Sequence, residues 1–307
     1  MANTFPNLFI PGAGKSGTSA LHELLNFHPD ICMSSIKEPH YWTHPNFDSY
    51  SEQDQANYLA LFKDKEDVQF KGESSTGYMQ FPKFIDRINA HYKQEPKFIF
   101  ILRNPIDRCY SHYWWLKGLG SEREEFKDAV LKDFSEEPSH ETNLPEGNYK
   151  NYYQFGLYGK WLSRFYQNFS EDNIMIITSE KLRENSLEAI NQCYSFLNLA
   201  ELDFIPETVS NKTVILKYPA LYKFTKRLAF KKFNLPQSLK NTIPQGLKRF
   251  FRKELMESVL NHTKTDKTYP DITKENRAFL KEQYEEDIKK LKMITGMNFR
   301  EWTDFNN

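Results

Sequence analysis

The chain is poor in glycine, which supplies only 12 of its 307 residues, about half the usual share of roughly 7%. Its three cysteines are far apart and form no CxxC pair or Cys/His ligand set, so neither a disulfide framework nor a zinc site is predicted. No apolar run reaches the roughly 18 residues of a membrane span, and the N-terminus lacks the features of a signal peptide. The sequence therefore predicts a soluble, cytoplasmic protein.

Net charge is also lacking, because 41 basic side chains balance 41 acidic ones. This balance argues against general attraction to nucleic acid or to a membrane. The charges are nevertheless segregated along the chain, with an acidic, loop-like insertion at 118–150 and a basic helical segment at 205–262. The basic window 212–253 is a candidate for an acceptor-side cover or for contact with an anionic surface, although a solvated helical face is the simpler alternative.

Short apolar runs alternate with helical patterns from one end of the chain to the other. The predicted strands are 7–10, 31–34, 68–72, 97–102 and 173–178, and the predicted helices begin near 18, 82, 104, 185 and 273. This alternation predicts an α/β fold over a single domain, 1–307, with a parallel sheet and helices on both faces. Ligands of such folds gather at the carboxyl ends of the strands.

The scarce glycines are concentrated in one turn, Gly12-Ala13-Gly14-Lys15-Ser16-Gly17-Thr18, between the first strand and the first helix. A helix N-terminus presents free backbone N–H groups, so this turn is a candidate phosphate cradle. The nucleoside-triphosphatase P-loop pattern requires glycine at position 9, where this chain has Phe9. The spacing therefore disfavours a standard P-loop kinase or NTPase, which remains the alternative enzyme class.

A second cationic position ends the strand 97–102, where Arg103 stands in place of the aspartate that often holds magnesium in NTP-hydrolysing enzymes. A guanidinium can bind a phosphate without a metal. Phosphate sites at Lys15 and Arg103 would suit a nucleotide with phosphates at both ends. The alternative is that Lys15 caps a tight turn and Arg103 pairs with a surface carboxylate.

Residues 9–19 and 101–113 resemble the 5′-phosphosulfate loop and the 3′-phosphate motif of sulfotransferases that use 3′-phosphoadenylyl sulfate (PAPS). The resemblance is nearest to carbohydrate, heparan-sulfate-type and bacterial members, and it implies a P-loop-like sulfotransferase fold and no metal. It also implies that Lys15 contacts the sulfate and the bridging oxygen. The implied cofactor-binding residues are Lys15, Ser16, Gly17, Thr18, Ser19, Arg103, Ser111 and, in a C-terminal loop at 264–270, Lys267.

The stretch Lys37-Glu38-Pro39-His40-Tyr41-Trp42 is similar to the one that carries the catalytic glutamate in glycan-modifying members of the family. The resemblance implies that Glu38 is the general base and that Lys15 relieves charge on the leaving oxygen. His40 is the alternative base, because imidazole has a suitable unperturbed pKa. Each of Glu38 and His40 also has the simpler interpretation of a hydrogen-bonded loop residue.

The resemblance implies transfer of a sulfuryl group from PAPS to a hydroxyl or amine acceptor, a carbohydrate or related small metabolite, with release of 3′,5′-ADP. Ser74 stands where heparan-type relatives commonly have lysine, which disfavours a heparan-like acceptor. No cysteine follows Cys193, so the disulfide of secretory-pathway relatives is missing, which fits a reducing compartment.

A non-enzymatic polyanion-binding module built on 212–253 is the third function class. The aromatic candidates for stacking on sugar, each equally interpretable as core, are Tyr41, Trp42, Trp114 and Trp115.

Overall fold

The computed structural model describes residues 5–65, 67–135, 150–206, 215–216, 264–265 and 269–306. Its main strands are β1 (Leu8–Ile10), β2 (Ile31–Met33), β3 (Phe70–Ser74), β4 (Lys97–Leu102) and β5 (Ile174–Thr178). They form one sheet in the order β2-β3-β1-β4-β5, and all four pairings are parallel. A short antiparallel pair joins β6 (Ile215–Leu216) to β7 (Lys264–Thr265). The predicted parallel sheet is confirmed.

Helices cover both faces of this sheet. They are α1 (Thr18–Phe27), α2 (Glu52–Leu59), α3 (Pro82–His91), α4 (Pro105–Gly118), α5 (Phe126–Ser135), α6 (Tyr158–Asn168), α7 (Ser179–Glu184), α8 (Ser186–Phe196) and α9 (Lys274–Thr295). Apolar side chains of α1 and α8 pack on one face, and those of α3, α4, α6 and α9 pack in a second cluster. Each strand is therefore buried on both sides, which explains its continuous apolar sequence. Within the described ranges, no helix combines the length and apolarity needed to cross a bilayer.

The helix ends follow local signals in the sequence. The Asn104 side chain accepts a hydrogen bond from the Ile106 N–H at 3.0 Å and so caps α4. The Thr273 hydroxyl does the same for α9, which ends at Gly296 in the left-handed region with φ 66°. Both boundaries match the prediction because a cap satisfies backbone groups that the helix itself leaves unpaired.

The acidic insertion was expected to be loop-like, which is confirmed for residues 119–125 and wrong for residues 126–135. Residues 126–135 form α5, because Phe126, Ala129 and Val130 share one face and are buried against the core. Residues 136–149 lie outside the described residues. The basic helical segment at 205–262 also lies outside them, except for 205–206 and the strand 215–216.

Three further helices are absent from the prediction: α2 lies before β3, α6 lies before β5, and α7 directly follows β5. Helix α2 begins with a capping box in which Ser51 and Asp54 exchange side-chain to backbone hydrogen bonds. Helix α6 is strongly amphipathic, and it buries Trp161, Leu162 and Phe165. The sequence of α6 contains an amphipathic pattern, whereas α2 buries only the adjacent Tyr58 and Leu59 and is indicated mainly by its cap.

Candidate active site

Three predicted features and one further residue, Thr76, follow four neighbouring strands at the same edge of the sheet. The glycine-rich turn follows β1, Glu38 follows β2, Thr76 follows β3 and Arg103 follows β4. Because these strands are parallel, their carboxyl ends meet at this edge. The fold therefore brings the predicted phosphate sites and the predicted base into one region.

The glycine-rich turn is fastened to β4 by two backbone hydrogen bonds. The Ala13 N–H donates to the Ile101 carbonyl at 2.8 Å, and the Ile101 N–H donates to the Gly12 carbonyl at 3.0 Å. Gly17 then starts α1 with φ 99°, a conformation that favours glycine. The N–H groups of the first turn of α1 have no intrahelical partner and remain available to an anion.

The side chains of this turn differ in exposure. Gly17 is exposed and Ser19 is half-buried at the start of α1, whereas Thr18 and Ser16 are buried. The Ser16 side chain is fully buried, and its role in cofactor binding stays a prediction. Lys15 projects from the turn with φ 70°.

Lys15 lies in a strongly cationic environment. Burial, followed by the positive charges of Arg103, Arg108 and Lys37, lowers its pKa to about 8. Its ammonium nitrogen lies 5.2 Å from the ring centre of Trp115, a cation–π contact. In the part of the chain that the structure describes, no carboxylate forms an ion pair with Lys15. A bound anion would supply the missing countercharge.

Arg103 and Arg108 lie in the same cationic region as Lys15. We call this region, formed by Lys15, Arg103 and Arg108, the donor side. The Nε atoms of Arg103 and Arg108 are buried and, among the described residues, have no hydrogen-bond partner. Arg108 is fully buried and donates to the Tyr152 carbonyl. Buried unpaired N–H groups are unfavourable, so an anionic ligand would stabilise this arrangement.

Ser111, the predicted partner of Arg103 at the 3′-phosphate, is buried on α4 two turns from its start. Arg108 lies between the two on the same helix and was missed by sequence reasoning. The available signal was an arginine three positions after the start of α4 and directly before Cys109. Such an arginine needs internal partners, which points to a buried role.

A pocket of about 390 Å³ adjoins Arg103. Its lining residues are Arg103, Asp107, Tyr110, Tyr269, Asp271, Ile272 and Arg277. Tyr269 belongs to the C-terminal loop predicted to cover the nucleotide, and its ring stacks on Trp114 with centroids 5.9 Å apart. The structure thus brings this loop beside α4, although Lys267 itself lies outside the described residues.

Glu38 is held by partners on both of its oxygens. Its Oε1 atom accepts from the Lys37 ammonium at 2.8 Å, and its Oε2 atom accepts from the Thr76 N–H at 2.9 Å. Burial raises the pKa of Glu38, but the charges of Lys37 and His40 and the hydrogen bonds outweigh it, so the pKa lies below its usual value. Glu38 is therefore a carboxylate at neutral pH.

Thr76 connects this carboxylate to the glycine-rich turn. Its hydroxyl lies 3.1 Å from Glu38 Oε1, and a Cβ atom placed on Gly14 would lie 3.5 Å from the same hydroxyl oxygen. The base candidate and the phosphate cradle are consequently separated by one side chain. Sequence reasoning missed Thr76, which follows the third strand of the sheet.

His40 lies beside Glu38, with its Nε2 atom 3.3 Å from Glu38 Oε2. Burial lowers the pKa of His40, while the Glu38 charge partly opposes that effect. The imidazole is therefore neutral at neutral pH. Its Nδ1 atom is buried and has no hydrogen-bond partner among the described residues.

Two further titratable residues near the site, His22 and Glu73, were not predicted. His22 on α1 lies with Nδ1 2.8 Å from the Ser74 hydroxyl, and burial lowers its pKa to about 4. Glu73 is fully buried at the end of β3, and burial raises its pKa to about 7. His22 also lines an open pocket of about 430 Å³ between α1 and the segment after β2.

The four aromatic candidates for sugar stacking separate into two groups. Tyr41 and Trp42 are buried in the core, where Tyr41 stacks on Tyr58 with ring centres 3.9 Å apart. Trp114 and Trp115 are half-buried, and Trp115 faces Lys15. Across the described ranges, no three His, Cys, Asp or Glu side chains converge as metal ligands would.

The chain is similar in sequence to known sulfotransferases. A family model described as the sulfotransferase domain matches residues 5–292. Carbohydrate sulfotransferase 15 of Mus musculus is 25% identical over 262 residues, covering 68% of this chain and 46% of that protein. Heparan sulfate glucosamine 3-O-sulfotransferase 6 of Homo sapiens is 27% identical over 195 residues, covering 64% and 53%. The chain thus spans about half the length of these curated relatives.

The fold has a counterpart among solved structures. A sulfotransferase from Alicyclobacillus acidocaldarius superimposes with a TM-score of 0.68 at 21% identity, covering 98% of this chain and 99% of that one. This likeness extends over the whole sheet and its helices. The family model covers both phosphate motifs and the Glu38 turn. The chain therefore belongs to the sulfotransferase family.

Proposed function

We propose that the chain transfers a sulfuryl group from PAPS to a hydroxyl, or an amine, of a carbohydrate or related metabolite, and releases 3′,5′-ADP. This proposal rests on one observation: cationic side chains and a carboxylate lie on opposite sides of Thr76. On one side, Lys15 and Arg103 lack any carboxylate partner among the described residues, and on the other side lies the carboxylate Glu38. Sulfuryl transfer needs both an anion site and an adjacent base.

The donor side has the residues that such a nucleotide requires. When bound, PAPS supplies an activated sulfuryl group on its 5′-phosphate. Lys15 and the N–H groups that begin α1 would hold that end, and Arg103 with Ser111 would hold the 3′-phosphate. The lowered pKa of Lys15 supports this assignment, because an ammonium that lies among other cations is stabilised when an anion binds beside it.

Glu38 would act as the general base. The acceptor oxygen attacks sulfur, the bond from sulfur to the bridging phosphate oxygen breaks, and the acceptor proton passes to the Glu38 carboxylate. Lys15 would stabilise the charge that develops on the bridging oxygen. The geometry favours Glu38 over His40, since the His40 Nε2 atom already faces Glu38 and its Nδ1 atom is buried.

The open pocket of about 430 Å³ would admit the acceptor, because it adjoins both Ser19 at the start of α1 and Lys37 beside the base. Its lining is predominantly polar: Ser19, His22, Glu23, Asn26, Met33, Ser34, Ser35, Lys37 and Asp64. A mixture of donors and acceptors of both charge signs suits a molecule with many hydroxyl groups. This chemistry supports a carbohydrate or a similar polyhydroxylated metabolite.

The direct test has two stages. In the first, binding of 3′,5′-ADP is measured by calorimetry for the native protein and for Arg103→Ala, with the exposed Arg183→Ala as a control for loss of one arginine. We expect Arg103→Ala to weaken binding roughly 100-fold and Arg183→Ala to leave it unchanged. Equal affinities in all three proteins would contradict the donor assignment.

In the second stage, labelled PAPS is offered with monosaccharides, oligosaccharides, amines and phenols. Labelled product from a hydroxylated sugar supports the proposal, and product from phenols alone contradicts the acceptor class. The kinase alternative predicts magnesium-dependent ATP hydrolysis instead, but Phe9 is buried in β1 and Arg103 follows β4, so nothing in this region favours it. The polyanion-binding alternative concerns 212–253, which lies almost entirely outside the described residues, and it stays a prediction.

A further inference from the structure

Glu73 is a buried carboxylate whose partners are hydroxyl groups. The Ser75 hydroxyl donates to Oε1 at 2.6 Å, the Tyr58 hydroxyl donates to Oε2, and the Tyr78 hydroxyl is a third hydrogen-bond partner. In the described part of the chain, no lysine, arginine or histidine forms an ion pair with it. A carboxylate without a cation is unfavourable in a protein core, so its retention calls for a reason other than stability.

Each of the same three hydroxyls also accepts a hydrogen bond from the turn that follows Glu38. The Ser75 oxygen accepts from the His40 N–H at 3.1 Å. The Tyr78 oxygen accepts from the Trp42 N–H at 3.2 Å, and the Tyr58 oxygen accepts from the Trp42 indole N–H at 3.1 Å. Three hydrogen-bond chains therefore connect one carboxylate to one turn.

That turn adopts a backbone conformation that needs external support. Glu38 and His40 have φ values of 58° and 52°, in the left-handed region that side chains other than glycine rarely adopt. Such residues persist where the surrounding structure holds them. The Glu38 N–H also donates to the Ser74 carbonyl at 2.9 Å, so the turn is attached to β3 at its start and to the Glu73 hydroxyls further on.

We propose that Glu73 is a positioning residue for sulfuryl transfer: through the hydroxyls of Ser75, Tyr58 and Tyr78 it holds the turn 38–42 so that Glu38 faces the acceptor. This inference rests on the proposed function. A carboxylate only accepts hydrogen bonds, so it directs all three hydroxyl protons toward itself and leaves each hydroxyl oxygen free to accept from the turn. Donation to a charged acceptor also strengthens the bond that each hydroxyl accepts.

Glu73→Gln tests this arrangement because it preserves size but replaces one acceptor oxygen by a donor. At pH 8, above the pKa of about 7 to which burial raises Glu73, we expect kcat to fall roughly 10- to 100-fold from misplacement of Glu38. The affinity for 3′,5′-ADP should be unchanged. Hydrogen exchange of the His40 and Trp42 N–H groups should become faster, which is a readout independent of activity.

Three further variants serve as matched comparisons. Ser75→Ala removes only the link to His40 and should lower kcat less than Glu73→Gln does. The double variant should be no slower than Glu73→Gln alone, because both changes interrupt the same chain. Glu122→Gln changes another buried glutamate that accepts from a tyrosine, Tyr152, and it should leave kcat and the exchange of the turn unaltered.

The outcomes separate this inference from the proposed function. If the native protein turns over and Glu73→Gln has a normal kcat, the positioning role is wrong while the reaction stands. If exchange of the turn is equally slow in both proteins, the hydrogen-bond chains do not hold the turn and the inference is again wrong. If the native protein binds 3′,5′-ADP but transfers no sulfuryl group to any acceptor, the proposed function fails, and the exchange measurement still decides whether Glu73 holds the turn.

Discussion

The proposed site has a donor side, formed by Lys15, Arg103 and Arg108, and an acceptor side, formed by Glu38 and Glu73. The two sides differ in whether the protein itself supplies partners for their charged groups. Lys15, Arg103 and Arg108 on the donor side repel one another, and two of them have buried N–H groups without partners among the described residues. On the acceptor side, Glu38 and Glu73 accept hydrogen bonds from N–H and O–H groups of the protein itself. An anionic ligand would therefore complete the donor side, whereas the acceptor side is preorganised within the fold.

The half-buried Glu38 and the fully buried Glu73 sharpen this comparison, because desolvation raises the pKa of both. For Glu38, the charges of Lys37 and His40 overcome burial and hold the pKa below its usual value. Glu73 has only hydroxyl partners, and burial raises its pKa to about 7. Cationic neighbours are thus what separates a carboxylate suited to accept a proton from one suited to hold a turn.

The largest expected effect is on the acceptor side, in Glu38→Gln. Loss of the base should reduce kcat by roughly 10²- to 10⁴-fold, while calorimetry should give an unchanged affinity for 3′,5′-ADP. The exposed Glu52→Gln on α2 is the control for loss of one negative charge. Normal turnover in Glu38→Gln would transfer the role to His40, which His40→Asn would then test.

The second effect belongs to the donor side and depends on pH. The pKa of Lys15 is about 8 in the free protein, and a bound anion raises it, so the affinity for 3′,5′-ADP should fall above pH 8. The fall should approach about tenfold for each pH unit, with proton uptake on binding that calorimetry in two buffers detects. Lys15→Met should bind roughly 10- to 100-fold more weakly at pH 7 and show neither effect. Pronounced pH dependence in Lys15→Met would show that another group titrates.

A third measurement compares the stabilities of the two glutamate variants. Native Glu73 retains a proton that the unfolded chain releases above pH 4.5, so its contribution to the free energy of unfolding falls as pH rises from 4.5 through about 7. Relative to the native protein, Glu73→Gln should therefore gain about 2 kcal/mol between pH 5 and pH 8.

Glu38 should show the opposite sign, because its native pKa is lowered. Its contribution is present above the unfolded pKa and is lost as pH falls through the native one. Relative to the native protein, Glu38→Gln should be less stable at pH 8 and should lose this deficit in acid. Urea unfolding across this pH range measures both variants, and parallel pH profiles would remove the distinction between the two glutamates.

The smallest expected effect concerns the proposed acceptor pocket. Glu23 is exposed on its rim, and Glu23→Ala should raise the KM for the acceptor by roughly fivefold, the loss of one hydrogen bond. Neither kcat nor the affinity for 3′,5′-ADP should change. If the KM for PAPS rises instead, the pocket belongs to the donor side and the acceptor enters elsewhere.

Much of the fold could be predicted because its determinants are local. The strand Lys97–Leu102 is a continuous apolar run bounded by polar residues, and Asn104 with Pro105 begins the next helix through an adjacent cap. Helix α5 could not be assigned in the same way, since its first turn follows an acidic stretch and only its buried face against α4 and the core accounts for its packing. Short-range signals thus predicted boundaries, and long-range packing decided the ambiguous segment.

The site divides in a similar way. Lys15, Arg103 and Glu38 follow strand ends and stand in recognisable patterns, so they could be proposed from the sequence. Thr76 and Glu73 could not be proposed in the same way, because their importance comes from contacts made in the fold. Thr76 contacts Glu38, 38 positions away, and two hydroxyl partners of Glu73 accept hydrogen bonds from N–H groups 35 and 36 positions away.

By itself, the sequence determined the alternation of strands and helices, the helix caps and the pairing of two phosphate motifs, because each depends on residues close together in the chain. Only the tertiary structure decided the strand order and the charge states of the site. The pKa of Lys15 depends on burial and on Arg103, and those of the two glutamates depend on burial together with partners that include Thr76 for Glu38 and Tyr58 for Glu73. Burial and through-space charge are properties of the folded chain, and no local pattern encodes them.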